Sequence, residues 1–401
     1  MKEIVKEIIE STGGAICERC LGRILSRELK VEGHDNLERG KKIKEKLNLD
    51  LKSENRCYIC DNIFDKIDEA AEKAEDKINE LDIEFSTFLV GSTLPPDMLQ
   101  RDKEITSLVS KAESIKKDIN REIGKRLRRK LKKRVDYQNP DIVVKVNFRY
   151  KDPNVYIQIN PLYLEGRYRK LVRGIPQTKW PCKHCRGKGC PKCNFKGKMY
   201  EESVEEIIAG PLIEATKARE SKFHGAGRED IDVRMLGKGR PFVIELKEPR
   251  RRKLDLDKIV DEINKSAEGK VEVLFLKYTN RSRIVELKSI KSYKVYRAIA
   301  EIEGKIKEED LKKIEPSFIV KQRTPLRVSH RRADKVRIRK VYDIKPKILD
   351  ENTIELKIKA EGGLYIKELI SGDEGRTKPS ITEMLGKQAK CIKLDVIDIG
   401  I

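Results

Sequence analysis

Eight of the nine cysteines in this chain fall into four Cys-x-x-Cys pairs: Cys17/Cys20, Cys57/Cys60, Cys182/Cys185 and Cys190/Cys193. Two intervening residues let both sulfurs of a pair reach one ion from a tight turn, and two such pairs complete a closed tetrahedral thiolate site. The first two pairs lie far apart, so a folded segment has to bridge them. They predict a structural zinc site with no open coordination position and no catalytic part. The other two pairs share the short segment 182–193 with Gly187 and Gly189. The glycines let the backbone wrap closely around an ion, but the spacer is cramped, and the spacing fits either a second zinc or a partial, labile site. Cys391 stands alone and reads as a core residue.

The redox setting follows from the same residues. Thiols in this pattern fit a reducing compartment better than a disulfide framework. The first nine residues alternate charge with apolar side chains and lack the apolar core of a signal peptide, and no run of 18 apolar residues is available to span a membrane. A cytoplasmic protein is the expectation.

Charge narrows the partner. The 401 residues carry 89 Lys+Arg against 67 Asp+Glu, a formal net charge of +22. A Lys/Glu-rich thermophilic surface adds both signs and does not create so large an excess of one. A polyanion, most commonly nucleic acid, is the expected partner. The length allows two or three domains.

Along the chain, Ile63–Leu81 reads as helix, Ile83–Val90 as strand and Gly91–Asp97 as loop. Leu108, Ala112, Ile115, Ile119, Ile123, Leu127 and Leu131 recur at three and four and predict one long amphipathic helix. Its C-terminal half carries eight cations between Lys125 and Arg134, more than the helix dipole requires, which suggests a phosphate-facing surface. Strands over Asp141–Phe148 and Val155–Ile159 close a small α/β module. The fold expected is α+β: an N-terminal zinc-binding accessory domain over 1–160, and a mixed-sheet domain over 161–401 with the Cys-rich insert 182–193.

The segment from Phe223 to Gly237 carries the most chemistry. Gly225-Ala226-Gly227-Arg228-Glu229-Asp230 is a glycine-bearing loop that delivers a charged cluster and then enters an alternating strand. A dinucleotide site has the opposite order, strand then glycines then helix. An aspartate at a loop-to-strand junction beside Arg228 suits a carboxylate kept ionised by cations. By composition alone the same cluster reads equally as a surface ion pair. Asp232, alternating with Asp230, is expected on the same side. His34, His184, His224 and His330 form no ligand or triad spacing, which argues against a histidine-based hydrolase.

Three ordered motifs carry a family resemblance. Gly227-Arg228-Glu229-Asp230 resembles the Gly-Arg-Thr-Asp signature of pseudouridine synthases. Lys294-Val295-Tyr296-Arg297-Ala298 is similar to their Lys-x-Tyr segment, and Gly363-Leu364-Tyr365-Ile366-Lys367-Glu368-Leu369 to their Gly-Thr-Tyr-Ile-Arg-Ser-Leu segment. With Gly166–Thr178, the Cys-rich insert and Gln322–Val328, the chain resembles the archaeal and eukaryotic tRNA pseudouridine synthase family of the Pus-ten type.

The resemblance implies a THUMP-like N-terminal module and cofactor-free isomerisation of uridine to pseudouridine at tRNA positions 54 and 55, with no obligate protein partner. It implies Asp230 as the catalytic carboxylate, Tyr296 stacking on the base, Tyr365 touching it, and Lys367 in place of the family's arginine as partner of the aspartate. Arg228 is expected to help hold Asp230 ionised. Arg167 and Arg173 are expected to bind substrate, with Arg169, Lys170, Arg327, Arg331 and Arg332 as further phosphate contacts. Whether Asp230 attacks ribose C1′ or deprotonates C2′ stays open. The rival is a THUMP-type tRNA-binding adaptor without catalysis. A methyltransferase needs a glycine-rich strand-to-helix cofactor loop, and a zinc chaperone suggested by 182–193 needs repeats; the sequence has neither.

Overall fold

Alternating buried and exposed residues make Thr87–Thr93 (β1) the centre of a small sheet. It pairs in parallel with Arg134–Val135 (β2) and Ile142–Asn147 (β3), and β3 pairs antiparallel with Asn154–Ile159 (β4). The structure, a computed structural model, describes residues 2–52, 56–290 and 292–400, without the side chains of Lys2 and Arg331, so the expectation for Arg331 lies outside the described part. It divides into two units: residues up to Pro161 with Glu248–Arg252, and Leu162–Lys247 with the chain from Lys253 onward.

In the first unit, helices Ile67–Glu80 and Ile115–Leu131 lie against the small sheet, and Ile115, Ile119, Ile123 and Leu127 form the fully buried stripe. The long helix expected from Leu108 is shorter. Its first N–H, at Ile115, donates to Asp102 Oδ2 at 3.0 Å, and this buried carboxylate starts the helix there. Leu108 and Ala112 lie in the preceding connection yet still pack on the same core. The strand expected over Ile83–Val90 runs instead over Thr87–Thr93 and absorbs Gly91. The expected loop gives way to a helix at Pro96–Thr106, whose first-turn proline loses no hydrogen bond. Helices Glu18–Leu25 and Asn36–Lys46 cross so closely that a β-carbon on Gly40 would stand 1.7 Å from the Glu18 carbonyl oxygen. Residues 248–252 join this unit through Glu84 N–H to Arg250 O at 2.8 Å and Arg252 Nη2 to Asp141 O at 3.1 Å.

The second unit is built on a ten-stranded sheet: Leu162–Lys170 (β5), Glu220–Gly225 (β6), Arg234–Lys247 (β7), Val271–Thr279 (β8), Tyr293–Ile302 (β9), Phe318–Arg323 (β10), Val336–Asp350 (β11), Thr353–Glu361 (β12), Thr377–Lys378 (β13) and Ala389–Gly400 (β14). Its order is β13-β10-β11-β12-β9-β14-β7-β5-β8, with β6 also on β7. The β7–β14 pair is parallel and its neighbours antiparallel, so the sheet is mixed and the chain α+β, as expected. At its centre, Tyr296 of β9 faces Val396 of β14, which faces Met235 of β7. Tyr296 and Val396 of that row line a cleft, and Met235 lies buried beside them. The chain does not enter β7 at Asp230; residues 226–233 form an irregular loop before Arg234. Among the described residues no helix is long and apolar enough to cross a membrane.

Candidate active site

The loop before β7 is fastened from below by buried polar groups. Lys170, fully buried on β5, donates from Nζ to the carbonyl oxygens of Ile175 (2.9 Å), Asp230 (3.1 Å) and Ile231 (3.1 Å). Burial pulls its pKa down to about 8, against the attraction of Glu229 and Asp232. Arg173 donates to Asp232 O and Leu394 O at 2.6 Å each and pairs with Asp395. Buried Glu229 accepts from Tyr168 Oη at 2.9 Å and Arg240 Nε at 2.8 Å, and Arg240 Nη1 also donates to Ala226 O at 2.7 Å. Gln177 Nε2 bonds Tyr168 Oη at 2.8 Å and Gly227 O at 3.0 Å. Each bond to a charged group contributes about 1.5–3 kcal/mol, so together they fix where the Asp230 backbone stands.

Asp230 then projects into a cleft of about 560 Å³ lined also by Tyr296, Arg327, Arg332, Arg337, Tyr365 and Lys367. Arg327 Nη1 lies 2.9 Å and Lys367 Nζ 3.8 Å from the same oxygen, Oδ2. Among the described residues no hydrogen bond reaches Oδ1. Lys367 was expected as the partner of Asp230, but its closer bonds, 2.8 and 2.6 Å, go to the two oxygens of Asp232. Burial alone would raise the Asp232 carboxyl, and Lys367 more than reverses this, holding it below the ordinary range. Asp230 and Asp232 do share a side, through the loop rather than through strand alternation.

Arg327, from the β10–β11 connection, is the nearer cation. Its Nε also bonds the buried Glu368 at 2.5 Å. The sequence placed Arg327 only among phosphate contacts; the stretch Gln322–Val328 was the available signal, but nothing in it names a partner near residue 230.

Other expected contacts fall elsewhere. Arg228 is exposed at the cleft margin with its guanidinium 5.6 Å from the Trp180 ring centre. Arg167 projects from the opposite face of β5 to Tyr168 and reaches the Lys238 and Gly239 carbonyls at 3.4 and 3.3 Å. Arg169 is taken by Gly237 O and Glu272. Lys170 and Arg173 serve the loop backbone. Two other arginines line the cleft: Arg332, which is exposed, and Arg337, whose Nη1 donates to Thr324 Oγ1 at 3.0 Å and Lys335 O at 3.2 Å.

The two tyrosines meet the cleft differently. Tyr296 is buried on β9, and burial pushes its pKa up to about 12, with Arg240 opposing. Its phenol therefore keeps its proton at neutral pH. Tyr365 is half-buried, with the guanidinium of Arg327 5.9 Å and that of Arg337 5.6 Å from its ring centre. Its backbone is gripped at both ends by the fully buried Gln322: Tyr365 N–H donates to Gln322 Oε1 at 2.9 Å, and Gln322 Nε2 donates to Tyr365 O at 3.0 Å.

Both cysteine quartets converge. Cys17, Cys20, Cys57 and Cys60 hold their sulfurs within 4.8 Å of one another, and so do Cys182, Cys185, Cys190 and Cys193. Measured separations are 3.7 Å for Cys17–Cys60, 3.8 Å for Cys185–Cys193 and 3.7 Å for Cys190–Cys193. Metal–sulfur bonds of about 2.3 Å place tetrahedral sulfurs about 3.8 Å apart, so each quartet could hold a metal ion. In the insert the amides of Gly189 and Gly197 point at Cys185 Sγ and Cys193 Sγ, both at 3.2 Å. Gly197 is required there: φ is +67°, and a β-carbon would stand 2.4 Å from Gly187 O. Cys391 belongs to neither quartet; burial pushes its thiol up to about 11.

With the fold and cleft in view, comparison with known proteins places them. The family model described as Pus10, C-terminal, matches residues 163–400, and that of the Pus10 THUMP domain, archaeal, matches residues 70–147. A protein of Methanothermobacter marburgensis named tRNA pseudouridine synthase Pus10 is 52% identical, covering 100% of this chain and 99% of its own. Proteins of the same name from Methanocaldococcus jannaschii and Pyrococcus furiosus are 46% and 40% identical, over 96% and 99% of this chain and 92% and 97% of theirs. The chain belongs to the Pus10 family.

Proposed function

We propose that this protein isomerises uridine to pseudouridine in tRNA, at positions 54 and 55 of the TΨC arm, with Asp230 as the reacting carboxylate and no catalytic cofactor. One observation carries the reading. Both cations near Asp230, a residue of the cleft wall, are nearest to Oδ2, and among the described residues no hydrogen bond reaches Oδ1. A carboxylate with cations at one oxygen and no bond to the other suits attack at ribose C1′ or removal of the C2′ proton. A uridine inside folded tRNA has to leave its stack to reach that oxygen.

Tyr296 stacks on the extruded base, and its protonated hydroxyl relays a proton rather than acting as a base. Tyr365, fixed by Gln322, flanks the base. Lys367 fixes Asp232 and adds its charge to that of Arg327, while Arg332 and Arg337 take the phosphates beside the cleft. Arg228 works from the margin on Trp180. Zinc in each cysteine quartet would brace its segment without touching the reaction. The unit up to residue 161 is the accessory RNA-binding domain. Its groove offers Lys117, Arg128, Arg134 and the exposed ring of Tyr137 to RNA, while Arg121 and Lys125 in the same groove pair with Glu113, Asp118 and Glu122. Several cations of the basic helix are already paired, Arg126 with Asp68 and Lys130 with Glu75 among them, so fewer face RNA than the sequence suggested. Reduced thiols and a tRNA substrate suit the cytoplasm.

The test is to incubate the protein with unmodified tRNA transcript, adding no cofactor, and to map pseudouridine. Asp230→Ala should abolish product while tRNA affinity stays within about twofold. Product formed at the wild-type rate by that variant would overturn the assignment, and a wild-type protein that binds tRNA unchanged would turn the reading to an adaptor.

A further inference from the structure

Lys294 is a cation in the cleft to which the reading above gives no work. It stands two residues before Tyr296 on β9, so both side chains rise from one face of the sheet. Its Nζ lies 3.2 Å from where a β-carbon on Gly227 would stand, and Arg240 Nη1 lies 3.3 Å from the same point. The ammonium therefore sits beneath the Asp230 loop, on the wall formed by Gly227, Arg240 and Tyr296. The neighbouring cations are matched: Arg240 by Glu229, Arg327 by Asp230 and Glu368, Lys367 by Asp232. Among the described residues neither a hydrogen bond nor an ion pair reaches Lys294. A half-buried ammonium with no bonded counter-charge is costly to keep. Burial and the repulsion of Arg240 outweigh the attraction of Glu229 and pull its pKa down to about 8, which still leaves it protonated at neutral pH. A fold retains such a group where a ligand brings the negative charge that the protein omits.

In pseudouridine formation that charge arises on the base. When the C1′–N1 bond breaks, its electron pair leaves with the ring, and uracil becomes an anion whose charge is shared by N1 and the carbonyl oxygens. We infer that Lys294 is a catalytic residue that hydrogen-bonds a carbonyl oxygen of the extruded uracil and stabilises the uracil anion released on C1′–N1 cleavage. The inference rests on the pseudouridine synthase reading, and it holds for either route at Asp230. Whether that carboxylate has bonded C1′ or taken the C2′ proton, the base departs with the same electron pair. No proton moves at Lys294. The charge disappears when C5 bonds to C1′ and the C5 proton passes to N1, while Asp230 is returned as carboxylate. The two side chains divide the work: Tyr296 holds the ring, and Lys294 its charge.

The alternative source of negative charge is a tRNA phosphate, and the experiment separates the two. Lys294→Met, Lys294→Gln and Lys294→Arg are compared with the wild type for single-turnover pseudouridine formation under saturating enzyme, for tRNA Kd by filter binding at several salt concentrations, and for melting temperature. Loss of one preorganised donor to a developing anion costs about 100-fold in rate. We expect that loss in the Met and Gln variants, with Kd within about twofold and an unchanged salt slope, and recovery to within about tenfold of wild type in the Arg variant. If Met destabilises the fold, the Gln and Arg pair carries the test. A weaker Kd with a shallower salt slope and an unaltered saturating rate would assign Lys294 to phosphate and overturn the inference. Unchanged rates in all three would overturn it too. A wild-type protein that forms no pseudouridine would sink the underlying reading instead, a result distinct from either.

Discussion

Arg327 holds two carboxylates at once, and a pair of substitutions separates what each receives from it. Glu368 is 4% exposed, and Arg327 is its hydrogen-bond partner at 2.5 Å. Arg327→Met strands that carboxylate. Breaking a fully buried pair costs about 3–5 kcal/mol, but the Arg327 side chain is 35% exposed and water can take part of its place, so we take roughly 2 kcal/mol. For a unit of this size that lowers Tm by about 4–8 °C. The same substitution leaves Asp230 with only Lys367, at 3.8 Å. A loss of about 1.4–2.8 kcal/mol at the transition state would slow saturated single turnover about 10- to 100-fold. Adding Glu368→Gln removes the stranded charge. The double variant should therefore regain the melting temperature to within about 2 °C yet stay slow. If it regains the rate as well, Arg327 acts through Glu368 alone and its hold on Asp230 is irrelevant. A wild-type rate in Arg327→Met would refute the argument at its root.

Two further outcomes follow from the buried groups. Metal analysis of purified protein should find about two zinc ions per chain, and replacing Cys17 and Cys57 with serine should remove one of them and destabilise the N-terminal unit; protein that keeps its metal content after that change would contradict the geometry. Lys170 sets a pH effect: its pKa of about 8 in the fold lies below its unfolded value of 10.5, so between those limits the unfolded chain binds more protons and stability rises with pH. Wild type should thus gain on Lys170→Met, by an amount on the order of 2–3 kcal/mol, as pH climbs from about 8 to 10.5, and parallel denaturation curves across that window would show Lys170 to be ordinary.

Local pattern made much of this molecule readable in advance. Cys-x-x-Cys spacing marked both quartets, because two sulfurs on one turn need no tertiary information. The motifs marked Asp230, Tyr296, Tyr365 and Lys367, which do line one cleft. Where the reading failed, the deciding atom came from elsewhere in the chain. Helical periodicity carried the long helix back to Leu108, because it cannot see the Asp102 carboxylate that starts the helix at Ile115. A basic run is sorted only by folding: strand alternation sends Arg167 to one face and Lys170 beneath a loop, and Arg173 donates to two carbonyls and pairs with Asp395. The Arg327–Asp230 pair joins a loop of one sheet edge to the sheet's centre, a distance in sequence over which no periodicity extends.

The small excursion of Glu248–Arg252 has a practical consequence. These five residues interrupt the strand-rich C-terminal chain, yet Arg250 and Arg252 supply backbone and side-chain bonds to Glu84 and Asp141. A protein cut after Pro161 therefore does not come apart into a whole accessory module and a whole catalytic one. The first fragment lacks a stitch in its own fabric, and the second carries a loose thread with nothing to sew. Dissection of tRNA docking from catalysis is better attempted with point substitutions in the intact chain.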